Sequence, residues 1–476
     1  MNSSFSFGRL VLHPSTVDRG DLKVNSNGNR LRILVLAPDA NPNAISVALV
    51  CYSQAEALAH LHDVTLVARS SNEQALRRAQ APFHAIEGIG PWLDSVFNWC
   101  FKWIFRNNFH SRALTAFSYP FSLAFEWSTW RLMRRRVLAG EFDVVLRLSP
   151  IISAIPSAFP FFLRKCQTPF IIGPINGGLP WPQGFSQAQN QKSWIDRLRN
   201  LSKFAPFAGS AFRRAAAILA GSSQTCTEFA RYRDKLFFLP ENGISRNLYC
   251  GSERRTPTDH KLELIFVGAL VPYKACDLAL RGAASLLRRK LAHFTVVGDG
   301  PERSNLETLA RSLGIEDCVS FCGMLPYRDT MQRLRSANVL VFPSVREFGG
   351  GVVFEALAVG AVPLVADFGG PGDIINQDLG YKVALTSEDD VVIQIENILA
   401  ELFENRELLD HLSEQGMAYA RERLTWDAKA RDLTQIINWV LGRGPKPDFP
   451  SPKPVAAEVA ASQQGGTRLR QSSVSN

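Results

Sequence analysis

Two glutamates with a run of glycines between them form the part of this sequence that is best suited to chemistry. Glu347 precedes Gly349, Gly350 and Gly351, and Glu355 follows in the apolar, helix-forming segment that comes next. Glycines leave backbone N–H groups open to close approach, and the N-terminus of the following helix carries partial positive charge. Because helix N-termini bind anions and carboxylates accept hydrogen bonds from hydroxyls, we predict that this segment holds a sugar attached to a phosphate.

The same segment has a plainer interpretation. Glycine-rich turns between a strand and a helix are common in α/β proteins, and a glutamate at each end could simply be solvated. The spacing places Glu347 on the loop and Glu355 in the first turns of the helix. We therefore expect the two carboxylates to contact different parts of one extended ligand rather than to share a proton.

Further turns of similar composition follow the neighbouring predicted strands. Gly268 ends one strand and leads to Lys274, and Gly298 ends the next strand and opens a helix. The ammonium of Lys274 could reach a diphosphate at the sheet edge, or it could be a solvated surface lysine. Ligands of open parallel sheets lie beyond the carboxyl ends of the strands, so these turns should gather at one edge.

Length and composition favour two domains. The chain has 476 residues, of which 46% are hydrophobic, which is enough for two separate cores. Residues 1–250 contain 28 lysines and arginines against 15 acidic residues, a net charge of about +13, whereas the remainder carries about −4. A basic first half suits an anionic partner such as a membrane surface, a glycolipid or a nucleic acid, or it serves solubility alone.

The cysteines indicate a reducing compartment, because all eight are scattered without a CxxC pair or the spacing of a disulfide framework. Residues 1–30 lack the pattern of a secretory signal. Nowhere do about eighteen apolar residues run together without charge or proline, which argues against a membrane-spanning helix. We expect a cytoplasmic protein, and peripheral attachment to the inner face of the membrane stays open.

Alternating strands and helices predict two doubly wound α/β units. The predicted strands are 31–37, 64–68, 144–148, 170–172, 217–220 and 235–239 in the first unit, and 262–267, 293–297, 319–321, 339–342 and 362–366 in the second. The expected domains are a disordered N-terminus at 1–30, a Rossmann-like acceptor domain at 31–250, a linker at 251–260, a Rossmann-like donor domain at 261–442 and a disordered tail at 443–476.

Residues 91–136 form an aromatic and basic insertion in the first unit. Tryptophans and phenylalanines crowd this stretch, which ends in Arg134, Arg135 and Arg136. This composition suits the headgroup region of an anionic membrane, and it equally suits a helical insertion packed on the first domain. Nucleic acid is not expected as a partner, because no recognised nucleic-acid module is present.

The ordered turns of residues 262–384 resemble the retaining glycosyltransferases of family 4, also called glycosyl transferases group 1. The resemblance rests on Phe266-Val267-Gly268 with Lys274, Gly298-Asp299-Gly300-Pro301, Phe321-Cys322-Gly323, Phe342-Pro343-Ser344 and the carboxylate pair with Glu355-Ala356-Leu357-Ala358. The first half is similar more loosely, through its opening strand-helix-strand unit and the Asn242-Gly243 turn. The resemblance implies the GT-B fold, in which two facing Rossmann-like domains enclose a cleft.

The resemblance also implies a nucleoside-diphosphate sugar bound mostly by the second domain. Glu355 would accept from the ribose hydroxyls, Glu347 would hold hydroxyls of the transferred sugar, and Lys274 would neutralise the leaving diphosphate. Backbone N–H groups near Gly350, Gly351 and Val352 would surround the sugar and the phosphate. No covalent attachment to a side chain is implied, and the anomeric configuration is retained. We expect no metal, because the donor half lacks an Asp-x-Asp motif, and no cofactor besides the donor substrate.

Two departures from the family pattern stand out. Ala269 occupies a position that is usually an arginine, so one cationic contact to the diphosphate is missing or comes from elsewhere. The family also often places a histidine after a first-domain strand, and residues 146–148 and 173–178 contain none. We expect Asn176 to take that contact with the sugar and Arg147 to add charge.

These residues together predict a retaining glycosyltransferase that moves a sugar from a nucleoside diphosphate to a glycan or lipid-linked acceptor, in cell-surface polysaccharide or glycoconjugate biosynthesis. One alternative is a GT-B protein that binds a sugar nucleotide but has lost turnover and acts as a partner subunit, which Ala269 would favour. A second alternative is a sugar-nucleotide epimerase of the same architecture, although the sequence offers no general-base constellation for it.

Overall fold

The computed structural model describes residues 30–44, 46–90, 95, 111–179, 181–182, 185, 207–248 and 261–449. The predicted linker at 251–260 lies outside the described residues. So do nearly all of the predicted N-terminal segment, the tail beyond residue 449 and most of the aromatic stretch 91–110.

The first domain is built on a seven-stranded parallel sheet with the order β3-β2-β1-β4-β5-β6-β7. Its strands are β1 Arg32–Leu36, β2 Asp63–Arg69, β3 Ala85–Ile89, β4 Val144–Arg147, β5 Phe170–Ile175, β6 Ala217–Ala220 and β7 Leu236–Phe238. Its described helices are α1 Val47–Leu61, α2 Ser70–Arg78, α3 Ser111–Leu138, α4 Phe159–Phe162, α5 Ala208–Arg214 and α6 Ser223–Glu228. Short strands with a run of three or four apolar residues, such as β1 and β4, form here because helices cover both faces of the sheet.

The second domain repeats this plan with a six-stranded parallel sheet in the order β10-β9-β8-β11-β12-β13. Its strands are β8 Leu262–Val267, β9 Ala292–Val297, β10 Val319–Gly323, β11 Val339–Phe342, β12 Val362–Ala366 and β13 Tyr381–Val383. The helices are α7 Cys276–Arg288, α8 Arg303–Ser312, α9 Tyr327–Ser336, α10 Gly351–Val359, α11 Gly369–Ile374, α12 Glu388–Glu404, α13 Arg406–Tyr419 and α14 Trp426–Val440. Every strand predicted for either domain is present within two residues at its start.

Two edge strands, β3 and β13, were not predicted from the sequence. The residues of β3 are almost all half-buried, and β13 has only three residues, of which Val383 alone is fully buried. Glu87 and Gly88 interrupt β3 and Lys382 interrupts β13, so neither has the apolar run that marks a central strand. The strand pattern in the sequence is correspondingly weak.

The last helix, α14, returns from the second domain to the first. Ala430, Leu433, Ile436 and Ile437 are buried in the core formed by the first sheet and α1. The side chain of Thr425 caps the helix by accepting from the N–H of Ala428. Although the predicted donor domain extends to residue 442, these last residues pack with the acceptor domain, because an amphipathic helix follows the apolar surface that it can cover rather than chain order.

Helix α3 carries the described part of the aromatic insertion. One face of the helix packs on the first sheet through Phe125, Met133 and Val137, as the helical-insertion alternative expects. The opposite face exposes other residues of the same helix: Trp127, Arg131, Leu132, Arg134, Arg135 and Leu138. Within the described ranges, no helix is both long enough and apolar enough to cross a bilayer.

Candidate functional site

The predicted catalytic pair, Glu347 and Lys274, forms an ion pair at the carboxyl edge of the second sheet. Both side chains are only 16% exposed. The turn that carries Lys274 is fixed against the end of β11, since the N–H of Val345 donates to the carbonyl of Tyr273 at 3.0 Å. The Lys274 ammonium also lies 5.0 Å from the ring centroid of Phe342, a cation–π contact. The two groups of opposite charge are therefore held side by side before any ligand arrives.

The glycine run joins Glu347 to helix α10. Gly350 is the N-cap residue in a left-handed conformation, with φ of 55°, and it supplies no side-chain cap. Its N–H donates to Oε1 of Glu347 at 3.2 Å. Gly351 and Val352 follow as the first helical residues. Glu347 therefore accepts from the loop backbone with one oxygen and from Lys274 with the other.

Gly349 is where the loop approaches the first domain. A Cβ at this position would lie 2.4 Å from both Glu241 Oε1 and Asn242 Nδ2. These side chains follow β7 of the first sheet, so the absence of a side chain at 349 lets the two domains close together at the carboxylate loop.

Glu355 lies one turn into α10 and accepts a hydrogen bond from the hydroxyl of Tyr327 at the start of α9. Burial raises the pKa of the Glu355 carboxyl to about 7, and the bond from Tyr327 opposes that rise. Tyr327 itself is half exposed, and sequence reasoning missed it because a single tyrosine after Pro326 carries no spacing signal. The two glutamates thus have different partners.

The turns at Gly268 and Gly298 meet at the same sheet edge. The N–H of Gly268 donates to Val297 O at 2.9 Å, and the N–H of Gly298 donates to Gly323 O at 2.9 Å. Phe342 lies within van der Waals distance of the Gly268 position and also contacts Lys274. The structure therefore brings Gly268, Lys274 and the start of the carboxylate loop together, as the order of turns predicted.

Asn176 follows β5, and it has a partner that the sequence did not reveal. Its Nδ2 donates to Oε2 of Glu241 at 3.1 Å. Burial, and next the charge of Glu347, raise the pKa of Glu241 to about 7. Glu241 belongs to the Glu-Asn-Gly turn whose Asn242-Gly243 part carried the family resemblance. Only the pairing of first-domain strands β5, β6 and β7 brings it beside Asn176.

Arg147 does not contribute an uncompensated positive charge to the site. It is buried in the first domain, with its side chain 1% exposed, and pairs with Glu126 of α3 at 3.2 Å. Nη2 of Arg147 donates to Ile155 O at 3.0 Å, and Glu126 accepts from the N–H groups of Ala158 and Phe159. The expectation that Arg147 adds charge to the site is therefore corrected, since the carboxylate of Glu126 neutralises it.

Direct contacts hold the two domains together beside the loop. The N–H of Ser223 at the start of α6 donates to Asp373 Oδ2 of the second domain at 2.7 Å. Arg346, next to Glu347, donates to Leu179 O at 3.1 Å and lies over the ring of Trp181. Burial raises the pKa of Asp373 to about 6, although the bonds from Ser223 favour its ionised form. The site therefore lies between the two domains.

Residues 252–418 match the family model described as Glycosyl transferases group 1. That range includes Lys274, Glu347 and Glu355. The resemblance predicted from the order of the turns is confirmed over this part of the chain.

Curated relatives align with part of the chain. It is 29% identical over 180 residues to an uncharacterised glycosyltransferase of Methanocaldococcus jannaschii. That alignment covers 37% of this chain and 45% of the relative. It is 32% identical over 215 residues to the D-inositol 3-phosphate glycosyltransferase of Thermomonospora curvata, which covers 43% of this chain and 49% of the relative. The chain thus spans less than half the length of each of these two relatives.

Solved structures extend the similarity to both domains. The Anabaena protein HepE in complex with UDP has a TM-score of 0.57 at 15% identity, over 86% of this chain and 100% of that one. Sucrose-phosphate synthase from Thermosynechococcus elongatus has a TM-score of 0.57 at 16% identity, over 87% of this chain and 100% of that one. Identities this low show the fold alone. The predicted GT-B architecture of two Rossmann-like domains is confirmed.

Proposed function

We propose that this chain, whose second half matches the glycosyl transferases of group 1, transfers a sugar from a nucleoside diphosphate to a glycan or lipid-linked acceptor. We place the reaction in the assembly of a cell-surface polysaccharide or glycoconjugate. The transfer retains the anomeric configuration, and this chain's side chains perform it without a metal. The proposal rests on the match of residues 252–418 together with the geometry around Glu347.

The observation that carries the proposal is the pairing of Lys274 with Glu347 beside the N-terminus of α10. An ammonium and a helix N-terminus both attract phosphate, whereas a carboxylate that is already oriented by a backbone N–H suits sugar hydroxyls. Donor binding would bring the diphosphate to Lys274 and leave Glu347 to accept from the sugar. The ion pair thus holds each group near its own part of the donor.

In the proposed step, the bond between the anomeric carbon and the phosphate oxygen breaks, and its electron pair leaves with the diphosphate. The acceptor oxygen forms the new bond on the same face of the sugar, and its proton passes to the leaving phosphate oxygen. Lys274 stabilises the charge that develops on the diphosphate. Preorganised groups that stabilise developing charge commonly contribute more to the rate of an enzyme than any other single effect.

Glu355 and Tyr327 would form the nucleoside end of the site. The ribose hydroxyls would donate to the Glu355 carboxylate, in exchange for or beside the Tyr327 hydroxyl. HepE was solved in complex with UDP and, in a further structure, with UDP-glucose, which makes these the first ligands to test.

The test is release of nucleoside diphosphate from a panel of sugar nucleotides that begins with UDP-glucose, in the presence of a lipid extract as the source of acceptor. We expect Glu347→Gln to lower the release rate about a hundredfold, because the loss of one such contact commonly costs that much. The exposed Glu414→Gln serves as the matched control and should keep the full rate. Equal rates in wild-type protein and Glu347→Gln would exclude the proposed role of Glu347.

The rival function is a sugar-nucleotide-binding subunit without turnover. Ala269 favours it, since this exposed residue at the sheet edge supplies no cation where the family usually has an arginine. Tight binding of a sugar nucleotide by calorimetry, with no release under any acceptor, would support the rival.

For the acceptor we propose a lipid-linked glycan that is reached at an anionic membrane surface through the exposed face of α3. That face presents Trp127 and Leu132 beside Arg131, Arg134 and Arg135. Amphipathic surfaces of this composition bind the headgroup region of anionic bilayers.

A further inference from the structure

The side-chain amide of Asn176 can take two orientations, and the hydrogen bond to a neighbouring carboxylate selects one of them. Its Nδ2 donates to Glu241 Oε2 at 3.1 Å, and its Oδ1 is buried without a hydrogen-bond partner among the described residues. The other oxygen of Glu241 lies against Gly349 of the carboxylate loop. Glu241 therefore connects Asn176 of the first domain with the segment that carries Glu347.

A buried acceptor without a partner is unfavourable, so the arrangement has a cost in the free protein. A hydroxyl that donates to Asn176 Oδ1 would remove that cost. An ionised carboxylate can only accept hydrogen bonds, so an ionised Glu241 obliges Asn176 to donate through Nδ2 and keeps Oδ1 as the free acceptor. A protonated Glu241 could instead donate to Oδ1 and occupy it.

We propose that Glu241 is a positioning residue for the sugar: it fixes the amide of Asn176 so that Oδ1 accepts a hydroxyl of the transferred sugar between the two domains. This inference rests on the proposed function and deepens it. Asn176 then contacts the substrate directly, and Glu241 acts through Asn176.

The charged and titratable groups around Glu241 come from three elements. Glu347 faces it from the carboxylate loop, Lys429 from α14 and Cys51 from α1. Lys429 Nζ donates to Pro240 O at 2.8 Å, and the charge of Lys429 favours the ionised form of Glu241, whereas burial and Glu347 oppose that form. Burial lowers the pKa of Lys429 to about 7, so Lys429 loses its charge in the same pH range in which Glu241 gains one. With its pKa at about 7, Glu241 changes charge within the range in which the protein can be assayed.

The experiment compares wild-type protein with Glu241→Gln, Asn176→Ala and the double variant. Calorimetry measures UDP affinity and UDP-glucose affinity, and UDP release from UDP-glucose and the rest of the sugar-nucleotide panel is followed across pH. UDP lacks the sugar, so its affinity should be the same in all four proteins. The dependence of UDP affinity on pH reports Glu355 separately. Glu414→Gln is again the matched control.

In wild-type protein we expect kcat to rise with pH through about 7, as Glu241 ionises and frees Asn176 Oδ1. At the upper end of the pH range, Glu241→Gln should lower kcat about tenfold. This variant should also lose the rise of kcat near pH 7, because a glutamine amide both donates and accepts at any pH. Asn176→Ala should show a similar loss. The double variant should lose no more than either single variant, since both changes remove one interaction.

A merely structural role for Glu241 would lower the melting temperature without changing the pH profile of the folded protein. The inference would be overturned if Glu241→Gln kept the wild-type kcat and pH profile, or if the two losses added in the double variant. Either result would leave the proposed function standing. If wild-type protein binds neither UDP nor any sugar nucleotide of the panel, the proposed function fails and this inference fails with it.

Discussion

Three carboxylates lie where the two sheets face each other, and each is held by a different side chain. Glu347 pairs with Lys274, Glu355 accepts from Tyr327, and Glu241 accepts from Asn176. Burial raises the pKa values of Glu355 and Glu241 to about 7, so neither is committed to one charge near neutral pH. Perturbed acids of this kind concentrate at functional sites, although structural networks produce them too.

At the residue scale, the requirement for glycine at position 298 can be tested directly. The φ of 139° at Gly298 suits glycine almost alone, and a Cβ would lie 1.9 Å from the carbonyl oxygen of Gly268. We expect Gly298→Ala to lower the free energy of unfolding by about 2 kcal/mol or more, measured in denaturant.

The matched control for this change is Gly209→Ala in α5. Its nearest neighbour is the end of the Arg213 side chain at 3.9 Å, and alanine is the better helix former. The control should keep or raise the stability. Wild-type stability in Gly298→Ala would show that the turn between β9 and α8 relaxes freely.

At the element scale, α3 has two faces with different partners. The inner face is tied to the first domain by the buried pair of Glu126 with Arg147, and Glu126 also accepts from the N–H groups at the start of α4. Removal of either partner would leave an uncompensated buried charge, which costs several kcal/mol, so Glu126 and Arg147 depend on each other. The outer face keeps Trp127 at 53% exposure beside its arginines.

The composition of the outer face of α3 predicts binding to anionic membranes. Purified protein should float with liposomes that contain anionic lipid at low salt and dissociate at high salt, because surface charge attraction is screened. Replacing Arg131, Arg134 and Arg135 by glutamate should abolish flotation, since each basic residue contributes about 1 kcal/mol at an anionic surface.

Reversal of Arg288, Arg289 and Lys290 at the end of α7 changes the net charge by the same amount on another exposed surface. This control should still float. Protein that remains in the soluble fraction at low salt, or equal loss in both variants, would contradict a specific membrane face on α3.

At the scale of the whole molecule, α14 makes the two domains depend on each other. The helix continues the chain of the second domain, yet Leu433 is fully buried in the core of the first. The N–H of Ile244 donates to Leu424 O, and the N–H of Trp426 donates to Ile244 O. The segment that leaves the first domain therefore lies beside the segment that returns to it.

Leu433→Ala tests this dependence. We expect a loss of about 2–5 kcal/mol, as for other buried leucines, and it should fall on the first domain. Hydrogen exchange followed by mass spectrometry should show lower protection in β1 and β2 with little change in β11 and β12. Gln435→Ala, at an exposed position on the same helix, is the control. Lower protection confined to the second sheet would contradict the assignment of α14 to the first core.

Central strands were predictable because both of their faces are buried, which forces apolar residues into consecutive positions. The edge strands β3 and β13 were not, since Glu87 and Gly88 interrupt the apolar run of β3 and Lys382 interrupts that of β13. Glu347, Glu355 and Lys274 could be proposed from the sequence because the chain itself carries their spacing between glycine turns. Glu241 and Tyr327 have no such spacing, and their significance comes from partners far away in the sequence.

The amino-acid sequence alone determined the two parallel sheets, the glycine turns at their carboxyl edges and the pair of glutamates around the loop, because these depend on local burial and local backbone geometry. The tertiary structure alone decided that Arg147 is neutralised by Glu126, that Asn176 donates to Glu241, and that α14 belongs to the first core. Each of these depends on contacts between segments separated by many residues, and side-chain charge or orientation is set by such neighbours rather than by residue type.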